Sequence, residues 1–154
     1  LEIIRIIHSS KNAIFTASLS KSPGLAGARL GFITGSDEFI NKIRSTRPMY
    51  EIGALQAKIF NTVLCNWPEC LKVVRSIQSN KKDLEDILRN ESFKVLETSG
   101  NFTLFRSDKE LSIILEKLCY FRKSFKVECL KDFSRLSTPS KAFIKDFKNS
   151  LNLI

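Results

Sequence analysis

The sequence has little of what several common classes of functional site require. It holds a single histidine, His8, and its four cysteines form no C-x-x-C pair, so the ligand spacings of structural zinc are absent. Neither residue type has a partner at a useful spacing for nucleophilic catalysis. Isolated cysteines are typical of a reducing cytoplasm, and no apolar run approaches the roughly 20 residues of a membrane helix. We therefore expect a soluble, cytoplasmic protein with no metal site and no membrane partner.

The charge balance is basic but dispersed. The 154 residues include 25 Lys and Arg against 16 Asp and Glu, which gives a net charge of +9. A basic net charge can indicate nucleic-acid binding. A nucleic-acid-binding surface usually has clustered basic residues and exposed aromatic side chains. The basic residues instead often stand next to acids, as over residues 81–86, and most of the 12 phenylalanines lie in apolar strand or helix patterns. A nucleic-acid module is therefore the last-ranked function, and no nucleic-acid partner is expected.

Hydrophobic periodicity predicts a mixture of strands and helices. A buried strand is expected over residues 12–18, which are short, apolar and rich in strand formers. Amphipathic spacing with turn and cap residues predicts helices over residues 1–8, 36–45, 53–66, 68–89, 109–118 and 141–151. Further strands are expected over residues 30–34, 93–97, 102–105, 125–130 and 133–136.

This order of elements predicts an α/β fold class in three parts. Residues 1–66 are expected to form the C-terminal portion of an α/β domain. Residues 67–90 form a long connecting helix, and residues 91–154 form a small C-terminal α+β domain.

The stretch from Ser18 to Gly31, SLSKSPGLAGARLG, gathers side chains suited to one kind of chemistry. Lys21 follows a predicted buried strand, and a lysine in a partly dry pocket presents the neutral amine needed for Schiff-base formation more readily. Ser18 and Ser20 offer hydroxyl donors, and Arg29 adds a planar cation suited to phosphate. Together they fit an aldehyde that bears a phosphate group. By composition alone, a glycine-rich turn with a surface lysine is the better-supported description.

The order and spacing of these residues closely resemble the cofactor-lysine motif of class I/II (fold-type I) aminotransferases, which bind pyridoxal 5'-phosphate (PLP). The resemblance is nearest to the branch with histidinol-phosphate aminotransferase and threonine-phosphate decarboxylase. It implies that Lys21 is the Schiff-base lysine and that Arg29 grips the cofactor phosphate, with Ser18 and Ser20 as helpers. It also implies that residues 1–66 end a three-layer αβα PLP-binding large domain.

Two arginines near the end of the chain are candidates for substrate binding through the same resemblance. Residues 134–139, SRLSTP, stand where the family has an arginine-led strand, so Arg135 would hold the substrate α-carboxylate. Arg122 would contact a distal phosphate; a solvated charge beside Lys123 explains it equally well. Residues 98–105, TSGNFTLF, resemble a small-domain strand of the family, and a plain β-strand explains that stretch adequately.

The resemblance covers essentially the whole chain but only the later part of the family's length, so we expect a fragment of a larger enzyme. The implied function is PLP-dependent transfer of an amino group between an amino acid and a 2-oxo acid or phosphorylated keto compound. Decarboxylation of an amino-acid phosphate would use the same residues. The implied partners are a small amino-acid substrate and, for the whole protein, a second copy in a homodimer. The alternative is an inactive truncated remnant or an interaction module of the same fold.

Overall fold

A computed structural model of the chain describes residues 2–22 and 24–151. It divides into two compact units, Leu1–Lys72 and Val73–Ile154. Within the described residues the helices are α1 (Glu2–Ser9), α2 (Asp37–Thr46), α3 (Ala54–Cys65), α4 (Trp67–Asn90), α5 (Lys109–Leu118) and α6 (Lys141–Leu151). The strands are β1 (Ile14–Ser18), β2 (Gly31–Gly35), β3 (Val95–Leu96), β4 (Phe102–Arg106) and β5 (Phe133–Ser137). Among these helices, none has both the length and the apolar character needed to cross a membrane.

The first unit contains a two-stranded antiparallel ribbon, β1 paired with β2, in which Ser18 lies opposite Gly31. A strand at residues 12–18 was expected, and β1 confirms it, but the expectation of burial was wrong. Phe15 is 38% exposed and Phe32 is 48% exposed. Successive side chains of a strand point to opposite faces, so the exposed Phe15 and Phe32 lie on one face of the ribbon, and the exposed Ile14 and Ile33 lie on the other. No further strand pairs with the ribbon in the part of the chain that the structure describes.

A small core anchors the loop that joins the two strands of the ribbon. Its buried members are Leu19, Ala28 and Leu30, which pack with Val63 of α3. Both ends of the loop are thus held against α3. The helix after β2 begins as predicted, because the Ser36 side chain accepts a hydrogen bond from the Phe39 N–H at 3.4 Å and caps α2.

The second unit is built on an antiparallel sheet with the strand order β3-β4-β5. The apolar side chains of α4, α5 and α6 pack with inward-facing residues of β4 and β5. The buried core consists of Leu84, Leu88, Phe105, Leu111, Leu115, Leu136 and Phe147. The predicted helices over residues 109–118 and 141–151 are confirmed at both ends.

The strand expected over residues 125–130 was wrong. A short 3-10 helix, Glu128–Leu130, lies there, and the Leu130 N–H donates to the Val127 carbonyl at 3.0 Å. The residues alternate like a strand, but the ion pair between Glu128 and Lys131 has the three-residue spacing that suits a 3-10 turn. Besides its pairing with β4, β5 forms one isolated antiparallel bridge, between Arg135 and Arg122, and the segment 125–130 has no part in it.

Candidate active site

The loop between β1 and β2 carries the predicted cofactor residues and is closed by its own backbone. The Leu19 N–H donates to the Leu30 carbonyl at 3.1 Å, which continues the ribbon by one bond beyond the strands. The Leu25 N–H then donates back to the Leu19 carbonyl at 2.8 Å. The apolar side chains at the two ends of the loop, Leu19 and Leu30, are buried. The side chains of Lys21 and Arg29, between them in the sequence, are exposed.

Ser18 links the two ends of this loop. Its hydroxyl accepts from the Ser20 N–H at 3.0 Å and donates to the Leu30 carbonyl at 3.4 Å. Both bonds form part of the fold itself. A role for Ser18 toward an anion would require its hydroxyl to turn away from Leu30. The Ser20 hydroxyl is used by no other residue that the structure describes, so it is the freer donor of the two.

Lys21 lies in a turn just beyond Ser20, and its side chain is exposed. The expectation of a partly dry pocket around this lysine is therefore wrong for this chain. The physical reason is local: the loop folds its apolar residues inward against α3, and no described residue of the first unit covers its outer side. The amine is accessible, but the surroundings that would desolvate it are not supplied by the described part of the first unit.

Arg29 has a left-handed backbone, with φ 53° and ψ 35°, at the end of the short 3-10 helix Ala26–Ala28. Such a conformation is uncommon for a residue other than glycine, and it tends to occur at functional sites. The side chain is exposed and has no carboxylate partner within the described ranges. It lines an open cavity of about 850 Å³ in the first unit, whereas Lys21, Ser18 and Ser20 are not on its wall.

Two further arginines, Arg44 and Arg47, line the same cavity together with apolar residues of β2, α2 and α3. Arg47 is paired with Glu51. The sequence motifs did not single out Arg44, and they marked Arg47 only as the first residue of the stretch 47–57, which resembles the family's passage from the large domain toward the long helix.

The second unit brings the two other candidate arginines side by side. The Arg122 N–H donates to the Arg135 carbonyl at 3.0 Å, and the Arg135 N–H donates to the Arg122 carbonyl at 2.8 Å. Residues paired in this way point their side chains to the same face of an antiparallel ladder. Both side chains are exposed, and neither has an ion-pair partner among the residues described. Two unpaired guanidinium groups on one face are suited to bind an anion.

Each of these arginines lies over an aromatic ring. The Arg122 guanidinium carbon is 5.0 Å from the centroid of the Phe125 ring, and that of Arg135 is 5.5 Å from the centroid of Phe102. Sequence reasoning missed both rings as parts of the site. One feature of the sequence could have indicated the role of Phe102. Gly100 precedes it by two positions, in the stretch 98–105 for which a plain strand was an adequate explanation.

The protein-family model for aminotransferase class I and II matches residues 4–145. The chain belongs to this family. The histidinol-phosphate aminotransferase of Colwellia psychrerythraea is 28% identical over 160 residues, which cover 98% of this chain and 44% of that enzyme. That of Thermobifida fusca is 24% identical over 115 residues, 75% of this chain and 31% of the enzyme. The predicted family and branch are thereby confirmed.

Solved structures of an aminotransferase and of a decarboxylase share the fold of this chain. Histidinol-phosphate aminotransferase from Sinorhizobium meliloti, in complex with pyridoxal-5'-phosphate, has a TM-score of 0.78 at 20% identity, covering 98% of this chain and 44% of that one. L-threonine-O-3-phosphate decarboxylase from Porphyromonas gingivalis has a TM-score of 0.77 at 21% identity, covering 97% and 49%. The aminotransferase fold is thus confirmed, and the chain spans less than half the length of each of these relatives.

The donors on the loop between β1 and β2 fit a PLP group in kind. An aldehyde requires an amine, and a phosphate ester requires hydroxyl and guanidinium donors. The loop carries the exposed Lys21 amine, the half-buried Ser20 hydroxyl and an exposed Arg29 guanidinium that has no carboxylate partner among the described residues. What the first unit does not provide, within its described residues, is an apolar cover over the lysine.

Proposed function

We propose that this chain is the cofactor-lysine part of a PLP-dependent enzyme that transfers an amino group between an amino acid and a 2-oxo acid or phosphorylated keto compound. One observation carries the proposal. In a chain of the class I and II aminotransferase family, one closed loop carries both an exposed lysine amine and an exposed arginine that has no carboxylate partner among the described residues. The geometry of that loop is the part of the site that the chain supplies by itself.

The proposed roles follow from the chemistry of each group. PLP, when bound, supplies a ring that draws electron density from the substrate Cα. Lys21 Nζ would hold the cofactor through its aldehyde, and the same amine is placed to serve as the general base for the proton on the substrate Cα. Arg29 binds the cofactor phosphate, and Ser20 adds a hydroxyl donor. The buried core under the loop fixes the backbone from which these side chains project.

The arginine pair of the second unit is the proposed site for the anionic groups of the substrate. Arg135 would take the α-carboxylate and Arg122 a second anion. Two observations support this: the shared face of the two side chains, and the name of one relative, which mentions L-threonine-O-3-phosphate, a compound with both a carboxylate and a phosphate. A substrate with a carboxylate and a phosphate would match two guanidinium groups that extend from one face. Decarboxylation would use the same anchors.

We further propose that the chain alone binds PLP weakly and turns over no substrate. The exposure of Lys21 and the apolar faces of the ribbon support this, because water competes at the amine and each electrostatic contact is weaker in water than in a dry site. The whole protein, which we infer to be a homodimer, would supply the missing cover.

Absorption titration of the chain with PLP tests the binding proposal. A visible band typical of an imine should grow with PLP and be largely lost in Lys21→Ala, while Lys11→Ala, a lysine outside the loop, should behave as the unmodified chain. Arg29→Gln should shift the titration to higher PLP, because the phosphate loses a charge-assisted donor. Equal titrations for the unmodified chain and Lys21→Ala would contradict the assignment.

A further inference from the structure

The turn over residues 98–102 (Thr98, Ser99, Gly100, Asn101 and Phe102) is held by side-chain hydrogen bonds and by a close contact between a glycine and an aromatic ring. It joins β3 to β4 in the second unit. The Thr98 hydroxyl donates to the Phe102 carbonyl at 3.0 Å and so closes the turn. Phe102 is the first residue of β4, and its side chain is half-buried on the same face of the sheet as Arg135.

A buried charge pair holds this turn from α4. Lys81 donates to both the carbonyl and the hydroxyl of Thr98, the latter at 2.9 Å. The Lys81 amine also lies 3.6 Å from a Glu85 carboxylate oxygen, and each of these two side chains is only 12% exposed. Burying an ammonium group is costly unless it is paired and hydrogen-bonded, so these contacts fix the lysine, and with it Thr98, in one place.

Gly100 provides the space in which the Phe102 ring lies. A Cβ added at this glycine would be 2.5 Å from Phe102 Cε1 and 2.9 Å from Cδ1. Both distances are far below contact distance, so any larger residue at this position would push the ring away. The ring is therefore seated against the backbone of the turn, and the guanidinium carbon of Arg135 lies 5.5 Å from its centroid.

We propose that the 98–102 turn is a positioning device for Arg135. Lys81 fixes the turn through Thr98, Gly100 makes room for the aromatic ring, and the Phe102 ring orients the guanidinium before an anion arrives. A cation over a ring face is attracted by the ring's quadrupole, and an arginine that is already oriented loses less side-chain freedom when it binds. Phe102 is thus a positioning residue, and its use in recognition rests on the proposed role of Arg135 as an anion anchor.

The first measurement is the NMR signature of the Arg135 side chain in the intact chain. Protons over a ring face are shifted upfield, so the Hδ and Hε signals of Arg135 should be upfield of an ordinary arginine and show contacts to the Phe102 ring. Phe102→Leu and Gly100→Ala should both remove the shift, and Phe102→Tyr should keep it. Phe125→Leu should move the signals of Arg122 and leave those of Arg135. Gly53→Ala is the matched glycine control, because its added methyl meets only the end of the Gln56 side chain.

The second measurement is titration with inorganic phosphate, followed on the same arginine signals. Phe102→Leu should weaken phosphate binding at Arg135 about two- to five-fold, which corresponds to roughly 0.5–1 kcal/mol, and Phe102→Tyr should restore it. If Gly100→Ala fails to fold, the comparison of Phe102→Leu with Phe102→Tyr decides. Unchanged Arg135 signals and phosphate affinity in Phe102→Leu would overturn the positioning role. A normal upfield shift with no phosphate response in the unmodified chain would instead overturn the anion site, while the orientation by Phe102 stands.

Discussion

Arg122 and Arg135 are directly opposite each other in an antiparallel bridge, although 13 positions separate them in the sequence. Their backbones exchange two hydrogen bonds, so two positive side chains extend from one face. Like charges in this arrangement oppose folding unless an anion binds between them or solvent screens them.

An anion that bridges the two guanidinium groups should stabilise the folded chain. Inorganic phosphate should raise the thermal midpoint more than chloride at equal ionic strength, because phosphate has a higher charge and several oxygens that can accept from both guanidinium groups at once, whereas chloride is a single acceptor atom. Arg122→Gln and Arg135→Gln should each remove most of this excess, as measured by scanning calorimetry. Lys126→Gln, a nearby exposed lysine outside the pair, should leave the excess intact. An equal response to phosphate and chloride in the unmodified chain would count against a shared site.

The exposed face of the ribbon should bind apolar dyes and promote self-association. The Phe15 and Phe32 ring centroids are 6.1 Å apart, and both side chains are more than a third exposed. Phe32→Ser should therefore lower the fluorescence of a bound apolar dye and reduce concentration-dependent light scattering. Thr34→Ser, on the same strand, is the control and should change neither signal. A monodisperse chain with no dye binding would show that this face is covered in solution.

The core of the second unit should respond very differently to two substitutions on one helix. Leu115 of α5 is fully buried, whereas Ile113 is 46% exposed. Leu115→Ala should lower the free energy of unfolding by about 2–5 kcal/mol, because it removes apolar contacts and leaves a cavity. Ile113→Ala should cost roughly 0.5 kcal/mol or less, as is usual for surface positions. Urea unfolding gives both values, and equal losses would mean that α5 packs on another face.

Cys119 should ionise at a higher pH in the folded chain than in the unfolded one. Partial burial raises the pKa of its thiol above the usual value of 9.0. The folded state thus holds this proton more tightly, so the associated stability is complete below pH 9 and is lost as the pH rises through the folded-state pKa. Alkylation, which requires the thiolate, should follow this higher pH profile and return to the ordinary one in urea. Coincident profiles in the two states would contradict the effect of burial.

Most of the secondary structure could be predicted from local signals. The Ser36 cap, the turn at Gly35 and the apolar spacing of residues 109–118 each depend on neighbours within a few positions, and the structure agrees with them. The strand over residues 125–130 failed because alternation alone cannot distinguish an unpaired extended segment from a 3-10 turn. Pairing partners are chosen by distant residues, in this case by the bridge from Arg135 to Arg122.

The candidate site was predictable in its residue types but not in its surroundings. The loop motif predicted Lys21 and Arg29 as the cofactor residues, which stays a prediction, and the family assignment that the motif supported is confirmed. Their exposure could not be predicted, because burial depends on which elements cover a loop rather than on the loop's own sequence. The rings under Arg122 and Arg135 were missed for the same reason. A cation over a ring is a tertiary contact, and the register of β4 against β5 brings Phe102 to Arg135.

Reductive labelling tests the central claim, that Lys21 is the residue that holds the cofactor. The chain is mixed with PLP, reduced with borohydride, digested, and the pyridoxyl-modified lysines are quantified by mass. The account predicts that label concentrates on Lys21 and that Lys21→Ala removes it without raising the label on other lysines. Arg29→Gln should lower the label on Lys21 at limiting PLP. Label spread over the exposed lysines in proportion to their accessibility, with no preference for Lys21, would contradict the account.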